Sequence, residues 1–389
     1  TFFLCYNREH HLRKEVLNVK ILRGYVFRLY PNKEQEILIN KTFGCTRFVY
    51  NYYLEKALQK KISYGYIKDL QRLSLEYPWL KEVDGSALTS CLFDLDNAFK
   101  RLGKHNSATP RFKTKDKNKS YKTNNFFKTY TNEYSIKINL EKRLITLPKL
   151  NEVKIRGYNK LKEIPGTIKN AVIRKLANKY YVSILVEEEK TVSDFRPNSI
   201  VGLDLGLKTL VVTSHNERLE NTIKVNEKRI KGLQKKLLRC QKGSKNREKV
   251  KIKIQRAYLK IKNARKHLIH DLTNKLIREH DIIVVEDLAV QQMQQNHSIA
   301  KCLTNNPFSE IIRVLKYKAL WNNKKLIQIN RYYPSSQICN HCGFRNRALK
   351  DLNIREWECP SCHNKLDRDL NASINIMFEG LKEYMRSLA

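Results

Sequence analysis

The chain has 389 residues, 41% of them apolar, which is enough for two or three domains with cores of their own. Lys and Arg number 76 against 38 Asp and Glu, a formal net charge of +38 that calls for a polyanionic partner. No apolar run approaches the roughly 18 residues a membrane-spanning helix needs, and Thr1–Leu4, followed by His10, His11, Arg13 and Lys14, offers no apolar core for a signal peptide, so nucleic acid is the expected polyanion.

Residues 1–22 are read as an N-terminal extension outside the fold. From Gly24 the run Tyr25-Val-Phe-Arg-Leu-Tyr30 reads as a strand closed by Pro31. Asn32 opens a helix that continues from Glu34 to Leu58, and a second helix spans Asp84 to Leu102. Phe43, Phe48, Tyr50, Tyr53 and Leu54 in the first, and Leu88, Cys91, Leu92, Leu95 and Phe99 in the second, recur at helical spacing. They are expected to be core rather than base-stacking platforms. Residues 110–128 form a basic, Asn-rich connection. Strands return at 135–139, 144–147 and 153–156, and then as a hairpin of 171–174 and 180–186 turning at Ala177-Asn178. A small β-barrel interrupted by a helical insertion accounts for this order, and Pro197-Asn198 marks its end.

The second half opens with paired strands at 200–205 and 208–213. Residues 228–266 then carry seventeen Lys and Arg and a single acid, Glu248, with a break at Gly243-Ser244. Beneath the charge runs an apolar stripe of Ile230, Leu233, Leu237, Val250, Ile254, Ile261 and Leu268, so the segment reads as an antiparallel helical hairpin with a basic outer face that can track phosphates. A strand at 282–286, a polar segment Gln291–Asn306 that could cover a site, a helix at 307–324, a strand at 326–332 and a final helix at 369–385 complete the order. Three strands, helix, strand, helix, strand, helix is the order of an RNase H-like α/β fold.

Between the last strand and the last helix stand Cys339-x2-Cys342, sixteen residues, and Cys359-x2-Cys362. This zinc-ribbon spacing places two thiolates on each of two tight turns and closes a tetrahedral site, so the zinc is expected to be structural. His341 and His363 beside the ligands are read as bystanders. The other five cysteines, Cys5, Cys45, Cys91, Cys240 and Cys302, follow no pattern and suit a reducing cytoplasm.

Three acids stand beside strand-like or tightly packed stretches: Asp204 in Val201-Gly-Leu-Asp-Leu-Gly206, Glu286 in Ile282-Ile-Val-Val-Glu286, and Asp369 in Asp367-Arg-Asp-Leu-Asn-Ala372. A carboxylate at the end of a buried strand is costly to desolvate unless a cation or a hydrogen-bond network compensates it. Three of them can converge on Mg²⁺, a hard ion that prefers oxygen ligands. In a two-metal nuclease site Asp204 would bridge ions about 4 Å apart while Glu286 and Asp369 each hold one. Asp287 and Asp367 compete, but strand alternation and the Asp-x-Asn spacing rank them second.

With these motifs in place, the chain strongly resembles the TnpB family of RNA-guided DNA endonucleases, encoded in insertion sequences and related to compact type V CRISPR effectors. The likeness runs from Arg23 onward through Arg28-Leu-Tyr-Pro-Asn32, Phe43-Gly-Cys-Thr-Arg-Phe-Val-Tyr-Asn51, Tyr77-Pro-Trp-Leu-Lys-Glu-Val83, Pro110-Arg-Phe-Lys113, Leu147-Pro-Lys149, the three acidic segments and Pro334-Ser-Ser-Gln-Ile-Cys339. It implies a multidomain α/β and α+β protein: a wedge barrel at 23–42 and 111–197, a helical recognition lobe at 43–110, a RuvC-like nuclease at 198–336 and 364–389, and a zinc ribbon at 337–363. By the same likeness Asp204, Glu286 and Asp369 match the RuvC triad and the four cysteines the zinc ligands. The partners implied are a guide RNA from the element's end and double-stranded target DNA, bound by a monomeric ribonucleoprotein. A short motif flanking the target would be read by Tyr64 and by Gly85, Ser86 and Thr89 at a helix start. Three positions depart from the family pattern: His363 where Gly commonly follows the last cysteine, Leu366 where His often precedes Asp-Arg-Asp, and Ser373 in place of Ala. Three rivals remain: a stand-alone CRISPR effector, a DNA-only transposase on the same fold, and a non-catalytic RNA-binding protein.

Overall fold

The computed structural model describes residues 17–59, 66–105, 109–115, 119–158, 161–192, 195–223, 225–288, 307–351 and 354–388. Tyr64 and the polar segment Gln291–Asn306 lie outside the described residues. The chain forms two compact units, the first Asn18–Thr191 and the second from Val192 onward. Each is taken by itself.

The first unit begins with β1 (Leu17–Tyr30), which starts ahead of the expected Gly24 because Val19, Ile21 and Tyr25 continue the alternation, with Ile21 and Tyr25 buried. The boundary expected at residue 22 therefore falls inside a strand. Tyr25 donates to Glu188 at 2.7 Å and Arg23 lies 3.3 Å from the same carboxylate. α1 (Lys33–Leu58) follows, started by a capping box in which Asn32 and Gln35 satisfy each other's backbone N–H groups. α2 (Tyr66–Glu76) and α3 (Gly85–His105) complete the helices.

The remaining strands are β2 (Ser120–Asn124), β3 (Phe127–Lys128), β4 (Glu133–Tyr134), β5 (Lys137–Asn139), β6 (Leu144–Leu147), β7 (Asn151–Arg156), β8 (Thr167–Leu176) and β9 (Lys179–Val192). Six of them join β1 in a seven-stranded sheet of order β2-β8-β9-β1-β7-β6-β5. No ladder joins the edge strands β2 and β5 among the described residues. Asn125, just after β2, closes the gap by accepting from Ile136 N at 2.8 Å and from Ser135 Oγ at 3.1 Å while donating to Ile168 O at 2.9 Å. Phe27, Leu29, Ile145, Ile173 and Val182 from across this sheet share one core. The β8–β9 hairpin turns at Ala177-Asn178, both at positive φ, as the sequence suggests.

The expected division at residue 42/43 is not a break. Ile39 and Phe43 on the first half of α1 belong to the barrel core, whereas Cys45, Val49, Tyr53 and Leu54 on the second half pack with Leu73, Leu88, Leu92 and Leu95. One continuous helix thus serves two cores.

The second unit contains β10 (Ile200–Asp204), β11 (Val211–Thr213), β12 (Arg218–Leu219), α4 (Glu227–Arg239), α5 (Lys245–Glu279), β13 (Ile282–Glu286), α6 (Phe308–Trp321), β14 (Lys325–Ile329), β15 (Glu356–Glu358), β16 (Lys365–Asp367) and α7 (Arg368–Arg386). Its five-stranded sheet runs β12-β11-β10-β13-β14. The first three strands are antiparallel, and β13 and β14 add parallel to the other side of β10, the RNase H-like mixed sheet expected. β11 is shorter than expected because residues 205–210 turn the chain.

The basic segment forms the expected hairpin of α4 and α5. Ser244 caps α5, and the Arg247 guanidinium closes the end of α4 by donating to Leu237 O at 2.7 Å and Cys240 O at 3.0 Å. α6 is fixed to α5 by Lys318, whose ammonium donates to His270 O, Thr273 Oγ1 and Asn274 Oδ1 at 2.6–3.0 Å. Asp281 sets the entry to β13 by accepting from the N–H groups of Asn198 and Ser199 while pairing with Lys324.

Candidate active site

Asp204 and Glu286 end two adjacent parallel strands, one step beyond the paired Leu203 and Val285. Four apolar residues precede Glu286 in β13, all buried, so the strand delivers its carboxylate to the sheet's edge from inside the core. α7 brings the third acid. It crosses the sheet over Gly202, where a Cβ would stand 2.1 Å from Ser373 O and 2.6 Å from Met377 N, and at its own Gly380, where a Cβ would stand 2.3 Å from Val284 Cγ1. The glycine two residues before Asp204 thus serves helix contact. That close approach places the first turn of α7, with Asp369, in the electrostatic environment of Asp204.

Burial raises the Asp204 carboxyl from 3.8 to about 8, and Glu286 and Asp369 add to the rise while Arg368 and Arg355 oppose it. Burial also raises Glu286, against a hydrogen bond from the Ser335 hydroxyl. Asp369 accepts from Arg355 at 2.9 and 3.1 Å. Asp204 is thus raised both by burial and by the like charge of the other two acids, while among the described residues the one group spaced closely enough to hold a metal is the four cysteines.

The two competing acids have other partners. Asp287 pairs with Arg331 at 2.6 Å. Asp367 caps α7 by accepting from Leu370 N at 2.8 Å and pairs with Arg218 at 2.9 Å. Ser335 and Arg355 escape a sequence reading because each lies in a segment without strong periodicity and each residue type is common there.

Cys339, Cys342, Cys359 and Cys362 offer sulfur atoms that all lie within 4.8 Å of one another. The Cys339–Cys362 and Cys342–Cys359 separations are 3.7 and 3.6 Å. A tetrahedron with metal–sulfur bonds of about 2.3 Å has edges of roughly 3.8 Å, so the cluster fits zinc. The Phe344 N–H holds the Cys342 thiol down to about 7, whereas burial pushes Cys339 up to about 12. Each knuckle turns through a residue at positive φ, Gly343 at 78° in the first and His363 at 57° in the second. His363 is therefore a side chain in a glycine's conformation. Leu366, the second departure, is buried with Trp357 and Leu349 in the ribbon core, and Ser373, the third, donates to Leu370 O at 2.8 Å.

The zinc module is fastened to the acid-bearing helix. Asn371 accepts from Asn340 N at 2.9 Å and donates to Ile338 O at 2.7 Å, and Asn375 donates to Ser335 O at 2.8 Å and to Ile338 O at 2.6 Å. The asparagine of the Asp-x-Asn motif is thus a strap between the first cysteine knuckle and α7. Of the expected flanking-motif residues, Ser86 Oγ accepts from Asn124 N at 3.0 Å and Thr89 donates to Gly85 O at 3.1 Å, contacts that join the start of α3 to β2 and to itself.

Residues 183–297 match a family model described as "Probable transposase", and residues 308–376 match "Cas12f1-like, TNB domain". A "Putative RNA-guided DNA endonuclease" of Streptomyces pristinaespiralis is 31% identical over 378 residues, covering 93% of this chain and 90% of its own length. The chain belongs to the TnpB family. A second TnpB-family relative, InsQ of Escherichia coli strain K12, carries the same description and is 28% identical, with 93% of each chain covered. A Cas12f1–guide RNA–target DNA complex solved by cryo-EM shares the fold at a TM-score of 0.57 and 13% identity, over 92% of this chain and 99% of that one. Residues 21–60 match a model described as "Helix-turn-helix domain", yet in this TnpB-family chain the described part of that stretch is a strand followed by one long helix. No helix among the described residues is long and apolar enough to cross a membrane.

Proposed function

We propose that this protein is an RNA-guided DNA endonuclease of a mobile element, in which a guide RNA pairs with target DNA beside a short flanking motif and both DNA strands are cut at one RuvC site. Asp204 carries the reading: a carboxyl raised by burial and by Glu286 and Asp369 together has little structural purpose without a cation. Oxygen-only donors of this kind suit Mg²⁺, and the three acids would hold it. When bound, Mg²⁺ supplies charge stabilisation and an acidified water for in-line displacement at a phosphodiester. The chain's own residues do the rest. Ser335 orients Glu286, Arg355 orients Asp369, and the strand ends hold Asp204 and Glu286 side by side.

Guide pairing supplies sequence specificity, so the protein needs shape and charge more than a base code, which accounts for the net charge of +38. The barrel and helices of Asn18–Thr191 take the wedge and recognition roles, acting as a monomer with RNA and DNA. The start of α3, with Gly85, Ser86 and Thr89, together with Tyr64, would read the flanking motif. Cleavage of a matched plasmid by the RNA-loaded protein in Mg²⁺ is the test. Asp204→Ala should abolish cleavage and retain DNA binding. Joined rather than cut products, formed without RNA, would instead establish a DNA-only transposase.

A further inference from the structure

We propose that a cavity of the first unit, framed by α1, α3 and β2, is a ribose-phosphate subsite for the RNA backbone; this rests on the RNA-bound reading above. The cavity measures about 120 Å³. At roughly 30 Å³ per water it offers the share of about four waters, a space suited to one phosphate and its ester oxygens. Arg47, Lys113 and Lys122 line it, over a floor that includes the Phe43 and Tyr121 rings.

Two runs far apart in sequence build this wall. Phe43–Asn51 supplies Arg47, and Pro110–Lys113 supplies Lys113. Asn51 clamps the second run to the first, its amide donating to Lys113 O at 3.0 Å and its carbonyl accepting from Lys113 N at 2.8 Å. The Lys113 ammonium is half-buried 3.8 Å from the centroid of the Tyr50 ring. Among the described residues, Arg47, Lys113 and Lys122 donate no side-chain hydrogen bond and form no ion pair with a carboxylate. Burial pulls Lys113 below its ordinary pKa despite Cys91 and Asp94. Three cations without acceptors around one small cavity fit an anion with several oxygens.

Asp94, on the same cavity, gives the direction. A carboxylate would weaken a site for phosphate alone, but it accepts from a donor beside that phosphate. The ribose 2′-hydroxyl is such a donor, and DNA lacks it.

The test uses the full chain, the RNA that co-purifies with it made synthetically, and single-stranded DNA of the same sequence, with affinities measured across a salt series. Arg47→Gln and Lys122→Gln should each weaken RNA binding several-fold and make the log–log salt slope shallower by about 0.7. Arg47→Lys should recover most of the loss. Lys113→Met should act alike if its thermal midpoint matches wild type, and the Arg47 and Lys122 variants carry the test if it does not. Asp94→Asn should narrow the preference for RNA over DNA. Folded variants with wild-type affinity and slope would overturn the subsite, and an unchanged RNA preference in Asp94→Asn would overturn its 2′-hydroxyl contact. A wild type that binds no RNA would remove the guided reading as well.

Discussion

Replacing Asp204 by Asn should make the magnesium-free protein more stable while destroying its activity. The folded-state carboxyl is raised from 3.8 to about 8 by burial, Glu286 and Asp369. A group raised in this way is protonated in both states below its unfolded value, so wild type and variant should match near pH 4. As pH rises, the unfolded chain releases the proton first, and wild type loses stability until the folded group has titrated near pH 8. At about 1.4 kcal/mol per pH unit the ceiling near neutral pH is on the order of 4–5 kcal/mol. Water penetration and relaxation around a half-buried group reduce this two- to threefold, to about 2 kcal/mol. For a unit of this size that corresponds to roughly 4–8 °C in Tm. The assay is thermal unfolding of both proteins from pH 4.5 to 8.5 in magnesium-free buffer, and again with added Mg²⁺. The variant's advantage should grow with pH and shrink in Mg²⁺, which should raise the wild-type Tm alone. Parallel curves at all pH values, with equal Mg²⁺ response, would refute the assignment of Asp204 as a desolvated metal ligand.

Removing zinc by Cys359→Ser should lower cleavage at least about tenfold without touching an acid, because Asn371, Asn375 and Arg355 lose the module that positions them; cleavage equal to wild type would refute that coupling. His363→Gly should slow zinc release to a chromogenic chelator and add about 0.5–1 kcal/mol, since it relieves a side chain at φ 57°; faster release would contradict the strain argument. Asp281, although burial opposes it, is held down to about 2 by Lys324 and by the N–H of Asn198. Its stabilisation is complete above its ordinary 3.8 and lost as pH falls through about 2. Asp281→Ala should therefore cost about 1–2 kcal/mol in urea unfolding at neutral pH, with the gap closing in acid.

Features set by short-range chemistry are the ones legible in the sequence. The cysteine spacing specifies two knuckles, and the sulfur separations follow. Glu286 is legible because four apolar residues in a row leave the strand only one polar end. Ala177-Asn178 and Gly243-Ser244 mark turns because their backbone conformations are demanding. What depends on distant partners is not legible. Nothing in Leu147–Ser199 tells that Phe43 turns toward the barrel while Cys45 does not, so the domain boundary placed at residue 42/43 falls inside a helix, expected as continuous, that serves both cores. The need for glycine at position 202, inside a strand already legible in the sequence, emerges only when Ser373 is seen against it. Ser335 and Arg355 acquire meaning only when the zinc module is folded beside α7.

The central claim is that an RNA guides this protein. Expression with its native flanking DNA, purification at high salt to strip nonspecific RNA from a chain of net charge +38, and sequencing of what stays bound would test it most directly. One dominant RNA with a constant scaffold and a variable tail from beyond the element's end is the expected result. A heterogeneous mixture, or no RNA at all, would contradict it.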